Sequence, residues 1–365
     1  MGDAPLIVGL MSGTSLDGID AALVDFSTPT PRLRACFYQP YGAELREQIL
    51  DLHDSRHGDL QSSLLLANRL ARAYAQAVDE LLGAAALAPS AVSAIACHGQ
   101  TLRHQPALGF SLQLNNPALL AELSGIRVVA DFRSRDIAAG GQGAPLVPAF
   151  HDSLFRDPHR HRVIVNIGGI TNLTDLAPGK PTLGFDCGPG NMLLDAWIQR
   201  HHGLAYDAGG RWASGGTVLP ALLGQLLAHQ FFALRAPKSC GREQFNLAWL
   251  DARLRGDEEP VNVQATLAEL TASAVQRALF SGTGAPAELF VCGGGAHNAH
   301  LLLRLQALLP QTKISTTEAL GITPDWVEAM AFAWLAWQTL AGLPGNLPEV
   351  TGARGQRVLG AIYPA

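Results

Sequence analysis

The sequence has little that marks a secreted, membrane-bound or nucleic-acid-binding protein. Residues 1–6 carry no basic leader and no cleavage pattern, so no signal peptide is expected. No apolar run reaches the ~18 residues that a membrane span needs. Cysteine is scarce and scattered: Cys36, Cys97, Cys187, Cys240 and Cys292 form no C-x-x-C pair and are odd in number. With that count and a chain that reads as cytosolic, reduced thiols are the expectation. Basic charge is not in excess. Lys+Arg 26 against Asp+Glu 31 gives a net charge of −5, which offers no general attraction to nucleic acid or an anionic membrane.

What is present is a large apolar content, 48% of 365 residues, enough for roughly two domains. The densest signal is residues 6–26, LIVGLMSGTSLDGIDAALVDF. Apolar runs flank a small polar turn, so the pattern reads strand, tight turn, strand. Glycine N–H groups and hydroxyls in such a turn suit phosphate oxygens. The same grammar returns at residues 162–176, where RVIVNI leads into Gly168-Gly169-Ile170-Thr171-Asn172 and a further strand. Two such turns suggest two halves of similar build. Residues 62–82 have helical periodicity through Leu66, Leu70, Tyr74, Val78 and Leu81.

Polar groups collect just beyond expected strands, where α/β proteins line their ligand crevices. Residues 92–97 run into His98-Gly99-Gln100-Thr101, although His98 alone could be a structural histidine. Residues 126–130 run into Asp131-Phe132-Arg133-Ser134-Arg135-Asp136 and the glycine-rich AAGGQGAPLVP, which contains Gln142. These arginines suit an anionic group, because guanidinium forks match carboxylates and phosphates; a surface ion-pair cluster is the other reading. The glycine-rich segment lacks a terminal Gly-Lys-Ser/Thr and is not a P-loop.

Asp186 stands before Cys187-Gly188-Pro189-Gly190-Asn191 and a helix. It can aim a carboxylate into a cleft while helix amides face an anion, or it can serve as a turn or cap residue. Residues 288–291 lead into Gly293-Gly294-Gly295-Ala296-His297-Asn298; the G-x-G-x-x-G fingerprint fails, yet the turn fits a nucleotide cradle. A final helix is expected from Thr323 as N-cap, with Pro324 at its first position, to about residue 341. It is apolar on nearly all sides and so should be buried, with Glu328 the exception: an ion pair or a substrate contact. His201 and His202 have no third ligand nearby that would make a metal site.

Taken together, GLMSGTSLDGIDAALVDF, HGQT, DFRSRDIAAGGQGAPLVP, NIGGITNLT, GFDCGPGN, GREQFN, CGGGAHN and PDWVEAMAFAWLA resemble the anhydro-N-acetylmuramic acid kinase family, in the family's order and over nearly the whole chain. The resemblance implies an α/β protein of the actin/Hsp70/hexokinase type, with two ribonuclease-H-like domains closing on ATP and a sugar. It implies that water opens the 1,6-anhydro ring of anhydro-N-acetylmuramic acid while ATP phosphorylates O6, in bacterial cell-wall recycling. By position, Ser12, Gly13, Thr14, Ser15, Leu16, Asp17, Gly18 and Ile19 match the first phosphate loop. Gly168, Gly169 and Asn172 match the second, with Gly188, Gly190 and Asn191 following it. Gly293, Gly294, Gly295 and Asn298 match the adenosine-side turn. Asp186 matches the catalytic base. His98, Gln100, Arg133, Arg135, Gln142 and Glu328 are expected at the sugar.

Many kinases of the wider superfamily end the first strand on an aspartate. Here Leu10-Met11-Ser12 stands in that place, so Mg²⁺ falls to Asp17 or Asp186. The expected domains are residues 1–133 and 134–345, with 346–365 packing back on the first. A small-molecule amino sugar is the expected partner, without nucleic acid or membrane, and a homodimer is one assembly the sequence allows. A plain hexose kinase, a chaperone- or filament-type ATPase clamp and a dehydrogenase are the competing readings.

Overall fold

The computed structural model describes residues 5–13, 16–53, 60–236, 238–280, 282 and 284–365. The chain divides into two compact units, one of residues up to Phe150 together with Trp326–Ala365, the other His151–Asp325.

In the first unit, β1 (Leu6–Met11), β2 (Gly18–Asp25) and β3 (Arg32–Pro40) form an antiparallel meander. β4 (Val92–Cys97) joins the other side of β1 in parallel. A separate hairpin follows, β5 (Gln100–Gln105) with β6 (Phe110–Leu114). β7 (Val128–Ala130) then adds in parallel to β4, and Ala361–Tyr363 pairs antiparallel with β7. β1 is an unbroken apolar run because both of its faces are covered. Val8 and Leu10 share a core with Leu70, Tyr74, Val78 and Leu81 of the helix Leu60–Ala84, whose three- and four-residue spacing puts them on one face. On the other face the helix Val327–Leu340 lies so close that a Cβ at Gly9 would stand 1.9 Å from the Ala329 carbonyl oxygen.

The second unit repeats the plan. β8 (Arg162–Ile167), β9 (Ile170–Leu176) and β10 (Leu183–Pro189) form the meander, and β11 (Glu288–Cys292) and β12 (Lys313–Thr316) extend it in parallel from β8. Val163, Val165, Ile167, Leu173 and Phe185 point to one side, where Val275 and Leu279 of Pro260–Phe280 and Leu301 and Leu305 of Ala299–Leu308 cover them. Numbered within each sheet, both contain the order 3-2-1-4-5 with strand 2 antiparallel, the ribonuclease-H-like arrangement, and Ala361–Tyr363 adds a sixth strand to the first. The recurrence visible in two glycine turns is thus a recurrence of the whole sheet.

Local signals end elements where expected. Asn116 caps Pro117–Ser124 by accepting from the Leu119 N–H at 3.1 Å, and Gly125 closes that helix at φ +65°. The last long helix differs. Residues Pro324–Trp326 form a 3₁₀ turn and the α-helix starts at Val327, with Trp326 in its N-cap position. The Pro324 carbonyl accepts from Gly293 N at 3.0 Å, so it is drawn away from the helical ladder.

The units also divide elsewhere than at 133/134. Residues 134–150 stay with the first unit, and so does Val327–Leu340, since a helix apolar on all sides must be covered and the first sheet covers it. Among the described residues no helix is long and apolar enough to cross a membrane.

Candidate functional site

In the first unit β1 and β4 are parallel neighbours, so their C-terminal ends reach the same edge of the sheet. This brings the turn after β1 to the His98-Gly99-Gln100 stretch. Ser12 Oγ lies 2.8 Å from the Tyr74 hydroxyl and donates to the Gly99 carbonyl at 3.2 Å. Gln100, fully buried, donates from Nε2 to the Gly13 carbonyl at 3.1 Å. Gln100 therefore holds the turn from beneath.

Leu16 and Ile19 are buried anchors, with Leu16 in the left-handed region at φ 59°. Gly18 is packed so tightly that a Cβ would stand 2.4 Å from the Gln39 carbonyl oxygen. Asp17 is exposed. Thr14 and Ser15 lie outside the described residues.

Beside this turn sits a recessed charged group. His98 lies against the Phe332 ring at 4.6 Å, and its Nε2 is 2.8 Å from Arg133 Nη2. A guanidinium only donates, so Nε2 accepts and the proton is on Nδ1, which is buried without a protein partner. Burial, with Arg133 adding to it, lowers the His98 pKa to about 3, so the ring is neutral. Arg133 Nη1 donates to the Gly143 carbonyl at 2.7 Å, and its Nε is buried and unpartnered. Burial lowers the Arg133 pKa to about 10 against the opposing field of Glu328 and Asp136. Glu328 is pushed upward by burial, with Arg133 opposing that shift and Asp17 adding to it.

The other strand-end residues separate. Arg135 and Gln142 are exposed, and Gln142 is tied by its backbone N–H to the Thr351 carbonyl at 2.8 Å. Asp136 is fully buried and is a structural anchor rather than part of a surface ion-pair cluster.

In the second unit the β8–β9 turn, Gly168–Gly169, is braced by the start of the helix Asn191–His202. Gly190 N donates to the Gly169 carbonyl at 2.9 Å and Asn191 N to the Gly168 carbonyl at 2.8 Å. The helix-start amides expected to face an anion are committed to this turn instead. Gly190 must be glycine, since a Cβ would stand 2.3 Å from the Gly168 oxygen.

The turn itself is not tightly packed, with only ordinary van der Waals contacts around it. A Cβ at Gly168, Gly169 or Gly294 would meet nothing closer than 3.6, 3.9 and 3.5 Å respectively. Gly293 and Gly295 are packed against β8: their Cβ atoms would fall 2.3 Å from Asn166 Oδ1 and 2.4 Å from the Ile167 side chain. Asn298 caps Ala299–Leu308, with Oδ1 accepting from Leu301 N at 3.0 Å.

Asp186 sits on β10 opposite Asn172, which in turn sits opposite Asn166. Cross-strand partners share a face, so Asn166, Asn172 and Asp186 form one polar row. The sequence signal for Asn166 is slight, a single carboxamide among the core residues of RVIVNI. The register shifts between Asp186 and Gly188, and Gly188, at φ 149°, lies so near the Phe232 ring that a Cβ would stand 2.8 Å away. Burial raises the Asp186 pKa to about 6, against the Cys240 N–H and the Lys238 charge. Asp186 Oδ2 accepts from Cys240 N at 2.9 Å; Oδ1 has no protein donor among the described residues. A carboxylate with one oxygen fixed, one open and a raised pKa is suited to take a proton from water.

His201 packs at a tilt against Trp197, and His202 meets Trp212 edge-on. His202 and Trp212 line an open cavity of about 550 Å³ together with Leu204, Tyr206 and Arg211. Among the described residues no group of three His, Cys, Asp or Glu could hold a metal ion.

A profile of the family described as anhydro-N-acetylmuramic acid kinase matches residues 5–365. Proteins of that name are similar throughout. The one from Nitrosospira multiformis is 57% identical over 99% of this chain and 100% of its own. That from Nitrosomonas europaea is 55% identical over 98% and 99%. That from Pseudomonas paraeruginosa is 54% identical over 99% of each.

Proposed function

The chain belongs to the anhydro-N-acetylmuramic acid kinase family, and from that premise we propose that Asp186 is the base that delivers water to the sugar. The reaction opens the 1,6-anhydro ring of anhydro-N-acetylmuramic acid by hydrolysis and phosphorylates O6 from ATP. Its products are N-acetylmuramate 6-phosphate and ADP, and it serves cell-wall recycling. The observation that carries the assignment is the Asp186 carboxylate, recessed, raised in pKa and held by one oxygen only.

Glycoside hydrolysis ordinarily needs an acid for the leaving oxygen and a base for water. Here the leaving oxygen is O6, and its developing charge is taken up as it bonds to the γ-phosphorus. One base then suffices. Asp186 removes a proton from a water that attacks C1 on the side opposite O6, as in an inverting glycosidase.

Gly168, Gly169 and Gly294 are proposed to meet the nucleotide, since they lack a side chain and are not tightly packed by their neighbours. Asn172 and Asn166 lie in the row beside them. Among the described residues no group of three His, Cys, Asp or Glu could hold Mg²⁺, so phosphate oxygens and water would supply most of its ligands. Asp17 would be its protein ligand, and the ion would neutralise phosphate charge. In the first unit His98 Nδ1–H and Arg133 Nε are buried donors that await acceptors, fit for the lactyl carboxylate or a sugar hydroxyl. Glu328 would accept from a hydroxyl of the same ligand, with Arg135 and Gln142 outside them. We place the reaction in the cytoplasm, where ATP is available.

Incubation with ATP-Mg²⁺ and anhydro-N-acetylmuramic acid in ¹⁸O-water tests this by mass spectrometry. Label is expected on the C1 oxygen and phosphate on O6. A phosphorylated sugar without label at C1 would mark a plain sugar kinase and sink the water-activation scheme.

The pH profile gives a second check. The base acts ionised, so kcat should rise as pH increases through about 6 and level off above it, following the raised Asp186 pKa. A limb confined below pH 4.5 would show that the recessed carboxylate is not the titrating base.

A further inference from the structure

The polar stretch at residues 238–246, KSCGREQFN, has no part in the scheme above, yet it is the segment wrapped around Asp186. β10 is the edge strand of its sheet, so its outward N–H and C=O groups have no strand partner. Asp186 N donates to the Lys238 carbonyl at 3.1 Å, and Cys240 N returns a bond to Asp186 Oδ2 at 2.9 Å. Backbone and carboxylate of one residue are thus bracketed by groups two residues apart on the loop.

The loop is itself pinned at both ends. Lys238 Nζ lies over the Phe231 ring at 4.5 Å and donates to the Phe231 carbonyl at 3.3 Å. At the other end Phe245 is buried among His229, Phe231, Phe232 and Trp249. Phe232 of the same cluster presses on Gly188, the residue at the register shift after Asp186. One aromatic cluster therefore sets both the loop and the bulge on either side of the carboxylate.

We infer that residues 238–245 are a positioning strap for Asp186, acting through the Lys238 carbonyl and the Cys240 N–H. The strap fixes Oδ2 and the backbone so that Oδ1 alone is presented to water. This rests on Asp186 being the base. The structural alternative is a loop that merely covers a bare sheet edge. The two differ in what they do to turnover. A mispositioned base lowers kcat and spares the KM for ATP, and a displacement of ~1 Å costs up to about 10²-fold.

The decisive pair of variants is Cys240→Ala, which keeps the N–H, and Cys240→Pro, which removes it. With both purified and their thermal unfolding compared, Cys240→Pro should fall about 10- to 100-fold below Cys240→Ala in kcat, at similar KM for ATP. Should Cys240→Pro not fold, Lys238→Met and Lys238→Arg decide. The methionine variant should lose about 10-fold in kcat, and arginine, which can keep the cation over Phe231 and the bond to its carbonyl, should restore most of it. Equal kcat within the cysteine pair, or within the lysine pair if that one decides, overturns the strap. So does a loss confined to KM. If Asp186→Asn is inactive while these variants keep full kcat, only the strap fails; if Asp186→Asn itself remains active, the base assignment fails first.

Discussion

Asp186→Asn is expected to lower kcat by about 10²- to 10⁴-fold, the range for removal of a general base. The side chains are nearly isosteric, and the Asn Oδ1 can take the Cys240 N–H that now bonds Asp186 Oδ2 at 2.9 Å. The fold and the strap should therefore survive, and with them ATP binding. What is lost is the proton acceptor. The carboxamide cannot be a base near neutral pH, and it places a donor where the attacking water's proton should go. Steady-state kinetics alongside calorimetric ATP titration checks this. The distinctive result is a collapsed kcat with an unchanged nucleotide Kd. Turnover within a few-fold of the parent would remove Asp186 from the chemistry.

The largest expected effect on stability belongs to Asp136. Its side chain is fully buried and accepts from Gly143 N at 2.8 Å, Asn346 Nδ2 at 2.6 Å and Thr351 Oγ1 at 2.7 Å. Replacement by alanine would remove the acceptor of Gly143 N and leave Asn346 Nδ2 and Thr351 Oγ1 only their long 3.4 Å bonds to the Gly355 and Leu347 carbonyls. Buried donors that lose a charged partner cost about 1–3 kcal/mol each, with incomplete additivity, so a loss on the order of 4 kcal/mol is expected. Urea denaturation followed by near-ultraviolet circular dichroism should show the midpoint falling for the first unit. The second unit has its own core and should change little. A loss under about 1 kcal/mol would mean that water replaces the carboxylate, and the anchoring role would fall.

These two aspartates show what could be read in the sequence and what could not. The place of Asp186 was legible from a local pattern, a carboxylate at a strand end before a glycine turn and a helix. The strands themselves were legible because both sheets are buried on two faces, which gives apolar runs such as LIVGL and VIV. Asp136 was not legible. DFRSRD reads as a charged surface segment, and the partners that draw Asp136 inward, Asn346 and Thr351, come more than two hundred residues later. The committed amides of Gly190 and Asn191 were hidden for a similar reason. Helix starts bind anions only if nothing nearer takes the N–H groups, and the turn that takes them is a tertiary neighbour. Periodicity showed that Val327–Leu340 is covered on all sides but not which sheet covers it; the bare Gly9 opposite Ala329 supplies that answer.

The crossing of that helix over Gly9 bears on how the protein is made. Residues 151–325 are contiguous, so every strand and helix of the second unit has been synthesised once Asp325 has emerged. The first unit can by then pack one face of its sheet on Leu60–Ala84, but the cover for the other face of β1 is still unmade and β7 still lacks its partner at Ala361–Tyr363. Domains made as one stretch ordinarily fold in the order they emerge. Here the half that leaves the ribosome first is completed last, and its β1 face must be kept from other apolar surfaces while the whole of the other half is being made.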